Sequence, residues 1–226
     1  MKQIQFLTIA VVLTISFTLH AQSNNYNSSG TTDVGLHENP LQTLQQQWAH
    51  INYEIEEEKK KDAFITLTRQ AKAFLKANPN DTGLLIWQGI IQSSTAGAIG
   101  GFDALDYAKA ARKSFEQAMR VDENALSGSA MTSLGVLYHK LPSWPISFGS
   151  DKKAEKLLKH ALEINPNGID PNYFYAEYLF DNGNYVLAQK YIDKAKEAPP
   201  RPSRPLADKG RLQEIAALEQ RIARKN

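Results

Sequence analysis

The chain has 226 residues, and its 26 lysines and arginines nearly balance its 24 aspartates and glutamates, for a net charge of +2. This balance excludes a protein whose main task is to grip a nucleic-acid backbone, because that task needs a clustered basic surface. Apolar residues make up 42% and charged residues 22% of the chain, which is typical of a globular protein. The absence of cysteine excludes disulfides, thiolate metal sites and a cysteine nucleophile.

The first 21 residues have the layout of a secretory signal peptide. Lys2 supplies a positive start, Ile4 to Leu19 form an apolar run, and Ala21 offers a small residue for cleavage. A membrane anchor is the alternative, but this run is shorter than the roughly 20 residues of a spanning helix. Export without cysteine favours the bacterial periplasm. Residues 22–38, rich in Ser, Asn, Thr and Gly, are predicted to be a disordered leader, and residues 39–226 the folded domain.

Helical periodicity dominates from Asn39 onward, and no β-hairpin signal appears. Asn-Pro, Asp-Pro and Asn-Gly pairs mark the ends of the helices and the turns between them. The nine predicted helices are Pro40–Lys59, Asp62–Ala77, Thr82–Ser94, Asp103–Val121, Asn124–Lys140, Ser150–Ile164, Pro171–Asp181, Asn184–Glu197 and Leu206–Arg224.

The helices repeat in pairs. The second helix of each pair carries a small residue, then a large one, then another small one. A proline follows, or in one copy a glutamate at the proline position. The copies are Ala188-Ile192-Ala195-Pro200, Ala154-Leu158-Ala161-Pro166 and Ala111-Phe115-Ala118-Glu123. The first helix of each pair carries Gly89, Gly135 or Ala176 at the matching place, and Ala161 and Ala195 are 34 residues apart. This pattern resembles the tetratricopeptide repeat, whose period is 34 residues.

The predicted fold is therefore all-α: a right-handed α-solenoid of four tetratricopeptide-like helix pairs with a C-terminal capping helix. Small residues allow two helices to approach closely, and the large residue fills the gap between adjacent pairs. The last helix carries an apolar stripe of Leu212, Ile215, Leu218 and Ile222, and we expect the charged remainder, including Arg211, to form its polar outer face.

Two insertions interrupt the repeat at the same turn of neighbouring pairs. Gly89 and Ala111 are 22 residues apart and Gly135 and Ala154 are 19 apart, against 12 between Ala176 and Ala188. The first insertion, residues 93–102, is small and glycine-rich. The second, residues 141–149, contains two prolines and two large aromatic residues. Such insertions fall on one rim of a solenoid.

The aromatic side chains of the second insertion, Trp144 and Phe148, admit two interpretations. They either plug the core beneath a long loop or form a lid that narrows the groove. We predict the lid, because stacking of the pairs would bring the two insertions together. A proline-rich linker before the last helix also carries two arginines, Arg201 and Arg204, which either hold a carboxylate or belong to a solvated linker.

The predicted binding site is the concave face, and its character is mixed apolar and polar. Such a groove suits an extended peptide or a small organic ligand. The alternative is that some of these side chains only pack against the next repeat. The residues that the repeat register places on this face are Ile86, Ile90, Ser93, Thr132, Val136, His139, Tyr173, Glu177 and Phe180.

The sequence contains no motif for catalysis, metal binding or cofactor binding. No His-Glu-x-x-His, Gly-x-Ser-x-Gly or phosphate-loop pattern occurs, and no histidines pair at metal-ligand spacing. His139 is the one candidate inward polar group, and no acidic partner is apparent for it. We therefore predict a non-enzymatic binding scaffold without cofactor, metal or nucleic acid. The alternative is an enzyme acting on wall or glycan polymers that uses Glu177 or Asp181 near Tyr173.

The stretch from Gly135 to Ala154, in which Phe148-Gly149-Ser150-Asp151 opens a helix, resembles the T-component of TRAP transporters. In that family a Phe-Gly-rich turn followed by Asp, lysines and Ala begins a helix of a tetratricopeptide-like fold. The resemblance implies a periplasmic, all-helical accessory protein that meets a solute-binding partner and has a pore or groove suited to an organic ligand. That family is typically lipid-anchored through an N-terminal cysteine, which this chain lacks.

Overall fold

A computed structural model describes residues 39–225. The predicted signal peptide and disordered leader lie outside these residues. The described part contains nine α-helices, one short 3₁₀ turn at Ala125–Gly128, and no strand. The helices are α1 (Pro40–Tyr53), α2 (Glu57–Ala77), α3 (Thr82–Ile99), α4 (Ala104–Val121), α5 (Ser129–Lys140), α6 (Asp151–Ile164), α7 (Ile169–Asp181), α8 (Tyr185–Lys196) and α9 (Pro205–Ala223). No helix in this range has the length and apolar character to span a membrane.

Local capping groups begin several of these helices where the sequence predicts. The side chain of Asn39 accepts a hydrogen bond from the Leu41 amide at 3.0 Å. Asp81 accepts one from the Leu84 amide at 2.8 Å, and Asn184 accepts one from the Leu187 amide at 3.3 Å. Each bond satisfies an amide that has no partner within its own helix, so it fixes the first turn.

Three predicted helix boundaries are wrong. The charged segment predicted as the end of α1 instead begins α2 at Glu57, where an acidic first turn suits the positive end of the helix dipole. Helix α3 continues to Ile99 and absorbs most of the first insertion. The predicted helix from Asn124 begins only at Ser129, because Leu126 and Ser127 have positive φ angles of 48° and 56°.

Helices α1 to α8 form four antiparallel pairs, and their packing follows the predicted pattern of small and large residues. A Cβ atom on Gly89 would lie 2.5 Å from the ring of Phe115, so α3 and α4 can meet only with glycine at this place. Gly135 likewise faces Leu158 across α5 and α6, at 2.8 Å. Phe115 and Leu158 are both buried. The α-solenoid of helix pairs is confirmed, and its packing is tetratricopeptide-like.

The inner helices, which are the first helix of each pair together with α9, contact one another in a closed order. Each of α3, α5 and α7 contacts the inner helix before it and the one after it, while α9 contacts both α7 and α1. The outer helices α2, α4, α6 and α8 surround this arrangement, each packed against the inner helices on either side in sequence. The capping helix therefore closes the inner layer of the solenoid.

Candidate functional site

Each of α3, α5 and α7 carries a small residue at the same place in the repeat, which is Gly89, Gly135 or Ala176. The predicted concave residues lie three residues before this small residue, one residue after it and four residues after it. The first position does not line a groove. Ile86, Thr132 and Tyr173, which occupy it, are all buried. Their predicted exposure on the concave face is wrong, because neighbouring inner helices approach closely enough to enclose this position.

The second and third positions are less buried on α3 and α5, although the side chain of His139 is only 10% exposed. They are occupied by Ile90 and Ser93 on α3 and by Val136 and His139 on α5. We call these four side chains the open strip. The two helices are in contact, so the strip crosses from one to the other. The Ser93 hydroxyl oxygen is buried and has no hydrogen-bond partner among the described residues.

On α7 the equivalent positions are covered. Glu177 is only 8% exposed, and its carboxylate lies 3.2 Å from the ammonium of Lys140. Phe180 is half-buried, and the guanidinium of Arg221 on α9 lies 4.4 Å from the centre of its ring. Helix α9 therefore contacts the α7 part of the predicted groove at Phe180, whereas the open strip lies on α3 and α5.

A network of charged side chains lies at one end of the open strip. The Nδ1 atom of His139 is 3.1 Å from a carboxylate oxygen of Asp151, and its Nε2 atom is 3.1 Å from one of Asp181. Lys140 donates a hydrogen bond to Asp181 at 2.9 Å, and Arg221 lies 3.6 Å from the other oxygen of that carboxylate. Both ring nitrogens of His139 are thus engaged, so neither is free to act as a general base.

The charges of this network alter the acidity of Asp181. Burial by itself would raise the pKa of Asp181, but its hydrogen bond with His139 and the charge of Lys140 outweigh burial and lower the pKa to about 2. The sequence did not reveal these acidic partners of His139, because they come from α6 and the end of α7. Only the spacing of the pairs could have indicated that these helix ends meet.

Helix α9 is held over α7 by a buried arginine. The guanidinium of Arg211 lies 4.6 Å from the ring centre of Tyr173 and 4.3 Å from that of Phe174, and it donates to Asp170 at 2.9 Å. Arg211 also pairs with Glu214 on its own helix. The predicted polar outer face of α9 is therefore wrong at this residue: Arg211 is buried, and Leu212 of the predicted apolar stripe is 47% exposed.

The proline-rich linker is tied to the same cluster. Arg201 donates to Asp170 and to Asp208, both at 2.6 Å, so it holds carboxylates of its own chain. Burial alone would raise the pKa of Asp170, but the charges of Arg211 and Arg201 lower it to about 2. Arg204 lies with its guanidinium 4.9 Å from the ring centre of Trp87 on α3. The linker is thus part of the packed structure and not a solvated connection.

The aromatic insertion does not narrow the open strip. Trp144 is 85% exposed, so it neither plugs the core nor covers another part of the described chain. Phe148 packs edge-on against buried Tyr138, with 5.7 Å between ring centres, and the guanidinium of Arg112 on outer helix α4 lies over its ring at 5.0 Å. Phe148 therefore packs between inner helix α5 and outer helix α4, and the predicted lid is not formed.

Among residues 39–225, no group of three or more His, Asp or Glu side chains is arranged to hold a metal ion. No protein-family model and no curated protein matches the sequence. The structure is similar to the crystal structure of a thermophilic TPR protein from Thermus thermophilus, with a TM-score of 0.45 and 19% identity, covering 80% of this chain and 97% of that one. The fold assignment rests on the helix pairing described above.

Proposed function

We propose that the protein is a non-catalytic binding scaffold whose open strip holds an extended peptide segment or a small organic ligand. The observation that carries the proposal is the difference between equivalent register positions. Ile90 on α3 and Val136 on α5 are half-buried, whereas Glu177, at the same register position on α7, is buried. A surface left accessible in the middle of an otherwise closed inner layer is where a ligand can reach the scaffold.

The chemistry of the strip suits a ligand with an apolar body and a polar end. Ile90 and Val136 supply apolar contact area. Lys140, which is 40% exposed at its side chain, stands beside His139 at the charged end. Such a division, in which apolar groups give affinity and a few polar groups fix orientation, is typical of ligand sites.

The proposal extends to the location of the protein in the cell and to its binding partner. We propose that the protein works in the periplasm as an accessory component of a TRAP-type solute transport system, and that its partner is a solute-binding protein. The predicted signal peptide and the resemblance of residues 135–154 to the T-component support this assignment. The enzyme alternative gains no support, since both of its candidate carboxylates, Glu177 and Asp181, are engaged by Lys140.

The test is a binding titration by isothermal calorimetry with a purified TRAP-type solute-binding protein from the same organism, and with a panel of small organic solutes. Val136→Arg should weaken binding at least about tenfold, because it places a charge in the apolar part of the strip. Val121→Arg, the same change at an exposed residue outside the strip, is the matched control. Equal binding by the two variants would exclude the strip as the site. Turnover of a wall or glycan polymer that disappears in Glu177→Gln would favour the enzyme instead.

A further inference from the structure

Arg204 differs from the arginines around it because no carboxylate pairs with it. It is half-buried at the end of the proline-rich linker, immediately before α9. Its Nε atom is buried and has no hydrogen-bond partner in the described part of the chain. None of the ion pairs formed within residues 39–225 includes this side chain. Charges removed from water are ordinarily paired, so this guanidinium lacks the counter-charge that its burial calls for.

The nearby carboxylates are already bound to the other two arginines. Arg201 donates to both oxygens of Asp208, from its backbone amide and from its Nε atom, at 2.6 Å each. Its Nη1 atom donates to one oxygen of Asp170 at 2.6 Å, and Arg211 donates to the other at 2.9 Å. Arg204 therefore receives only the longer-range attraction of these two aspartates and no direct bond.

The surroundings of Arg204 disfavour its charge. Burial and the charge of Arg201 lower the pKa of Arg204 from 12.5 to about 10, although the charges of Asp170 and Asp208 act in the opposite direction. The side chain therefore keeps its proton at neutral pH in a place where a further negative charge would stabilise it. An external anion can supply that charge, because Arg204 is not fully buried.

The position of the guanidinium is fixed by its packing and by its backbone. It lies 4.9 Å from the ring centre of Trp87, a buried residue of α3. The Arg204 amide donates to the Arg201 carbonyl at 2.8 Å, and the Arg204 carbonyl accepts from the Asp208 amide at 3.0 Å. A side chain held in this way loses little conformational entropy when it binds a ligand.

We propose that Arg204 anchors a binding site for the carboxylate or phosphate group of a small ligand. The terminal N–H groups of the guanidinium donate parallel hydrogen bonds to two oxygens of this group, which is the geometry that arginine provides for both kinds of anion. The anion supplies the negative charge that Asp170 and Asp208 share with Arg201 and Arg211. The site uses no side chain of the open strip, so it does not depend on the function proposed above.

The test measures the thermal unfolding midpoint of the full chain with sodium benzoate and with sodium phosphate, at an ionic strength held constant with sodium chloride. Benzamide, the neutral counterpart of benzoate, is the control for contacts of the aromatic ring. We expect the midpoint to rise with at least one of the two anions and not with benzamide. A rise with benzoate alone assigns a carboxylate ligand, a rise with phosphate alone a phosphate ligand, and a rise with both a site for either group.

A pair of variants assigns the effect to Arg204. Arg204→Gln should bind the effective anion at least about tenfold more weakly, because the charged donor is lost. Arg120→Gln, the same change at an exposed arginine on α4, is the matched control and should respond as the parent does. Without added anion, Arg204→Gln should unfold at a midpoint close to that of the parent, since no ion pair is broken.

A chemical readout on the unchanged chain keeps the test decisive even if Arg204→Gln does not fold. Phenylglyoxal modifies arginine side chains, and peptide mass spectrometry gives the rate at each of them. The effective anion should slow the modification of Arg204 and leave that of exposed Arg120 unchanged. Three results would each overturn the proposal: no rise in midpoint with either anion beyond that with benzamide, an equal rise in Arg204→Gln, or no protection of Arg204 from phenylglyoxal.

Discussion

Equivalent positions of the repeat differ in burial between two sides of the inner layer: the open side, formed by α3 and α5, and the closed side, formed by α7 and α9. On the open side, Ile90 and Val136 are half-buried and line the strip between α3 and α5. On the closed side, Glu177 occupies the same register position on α7 and is buried, with its carboxylate 3.2 Å from the ammonium of Lys140. The comparison shows that the repeat determines which side chains point inward, whereas the capping helix determines which of them a ligand can reach.

The two sides also differ in what holds them together. The closed side contains a buried guanidinium, Arg211, between aromatic rings and two carboxylates. Gly210 beside it lies against Tyr53 of α1, where a Cβ atom would come within 2.3 Å of the ring. The open side is built from aliphatic side chains on α3 and α5, and its ion pairs lie at one end only. The closed side should therefore respond to loss of charge, and the open side to loss of apolar area.

The largest expected effect is on the closed side. Arg211→Ala removes a buried guanidinium from between two aromatic rings and leaves the half-buried carboxylates of Asp170 and Glu214 without this cation, which should cost about 3–5 kcal/mol in the free energy of unfolding. Urea denaturation at neutral pH measures the loss. Lys196→Ala breaks a pair with Glu219 at 2.8 Å, in which both side chains are substantially exposed, and should cost less than about 1 kcal/mol. Similar losses in the two variants would contradict the proposed closure.

A matched pair of isoleucines sharpens the comparison within α3. Ile86 is fully buried between inner helices, whereas Ile90, one turn later, belongs to the open strip. Ile86→Ala should destabilise the protein by about 2–4 kcal/mol, because it leaves a cavity. Ile90→Ala should cost about 1 kcal/mol, since its side chain is only half-buried. Denaturation of both variants beside the parent tests this. A larger loss for Ile90→Ala would mean that the strip is part of the core.

A third expected effect is the acid dependence of the closed side. The pKa of Asp170 is lowered from 3.8 to about 2, so the stability it contributes is complete above pH 3.8 and is lost as the pH falls through about 2. Between pH 6 and pH 2 this loss amounts to about 2 kcal/mol. Asp170→Asn is less stable at pH 6, and we expect the gap between it and the parent to shrink by that amount on acidification.

Urea denaturation of the two proteins at pH 6, 4, 3 and 2 gives the measurement. Asp181 acts in the same direction in both proteins, because its pKa is also lowered to about 2. Glu214 acts in the opposite direction: burial raises its pKa, so acidification from that raised pKa down to 4.5 favours the folded state. The contribution of Asp181 cancels when the two proteins are compared, whereas that of Glu214 is smaller in Asp170→Asn, because the charge of Asp170 is one cause of its raised pKa. A gap that stays constant from pH 6 to pH 2 would show that Asp170 is not held by the arginines.

Much of the fold is determined by short-range signals that the sequence displays directly. Asn39 and Asp81 cap their own helices, so their effect needs only the next three residues. The pairing of Gly89 with Phe115 follows from the spacing of small and large residues, because a close helix crossing requires it. The helix pairs and their order were predicted on this basis. The end of α3 was not, since Ala-rich and Gly-rich residues after Ser94 fit helix and loop equally well.

The tertiary structure alone decided which parts of the inner face are open. Arg211 appeared to belong to a polar outer face, because a helix by itself does not show that it will be covered on both sides. The contact of Gly210 with Tyr53 joins opposite ends of the folded chain, and no short-range sequence pattern indicates it. The acidic partners of His139 come from two other helices for the same reason. Helix formation depends on neighbours in sequence, whereas closure depends on how each pair is rotated against the next, a geometry that exists only once all the pairs are stacked.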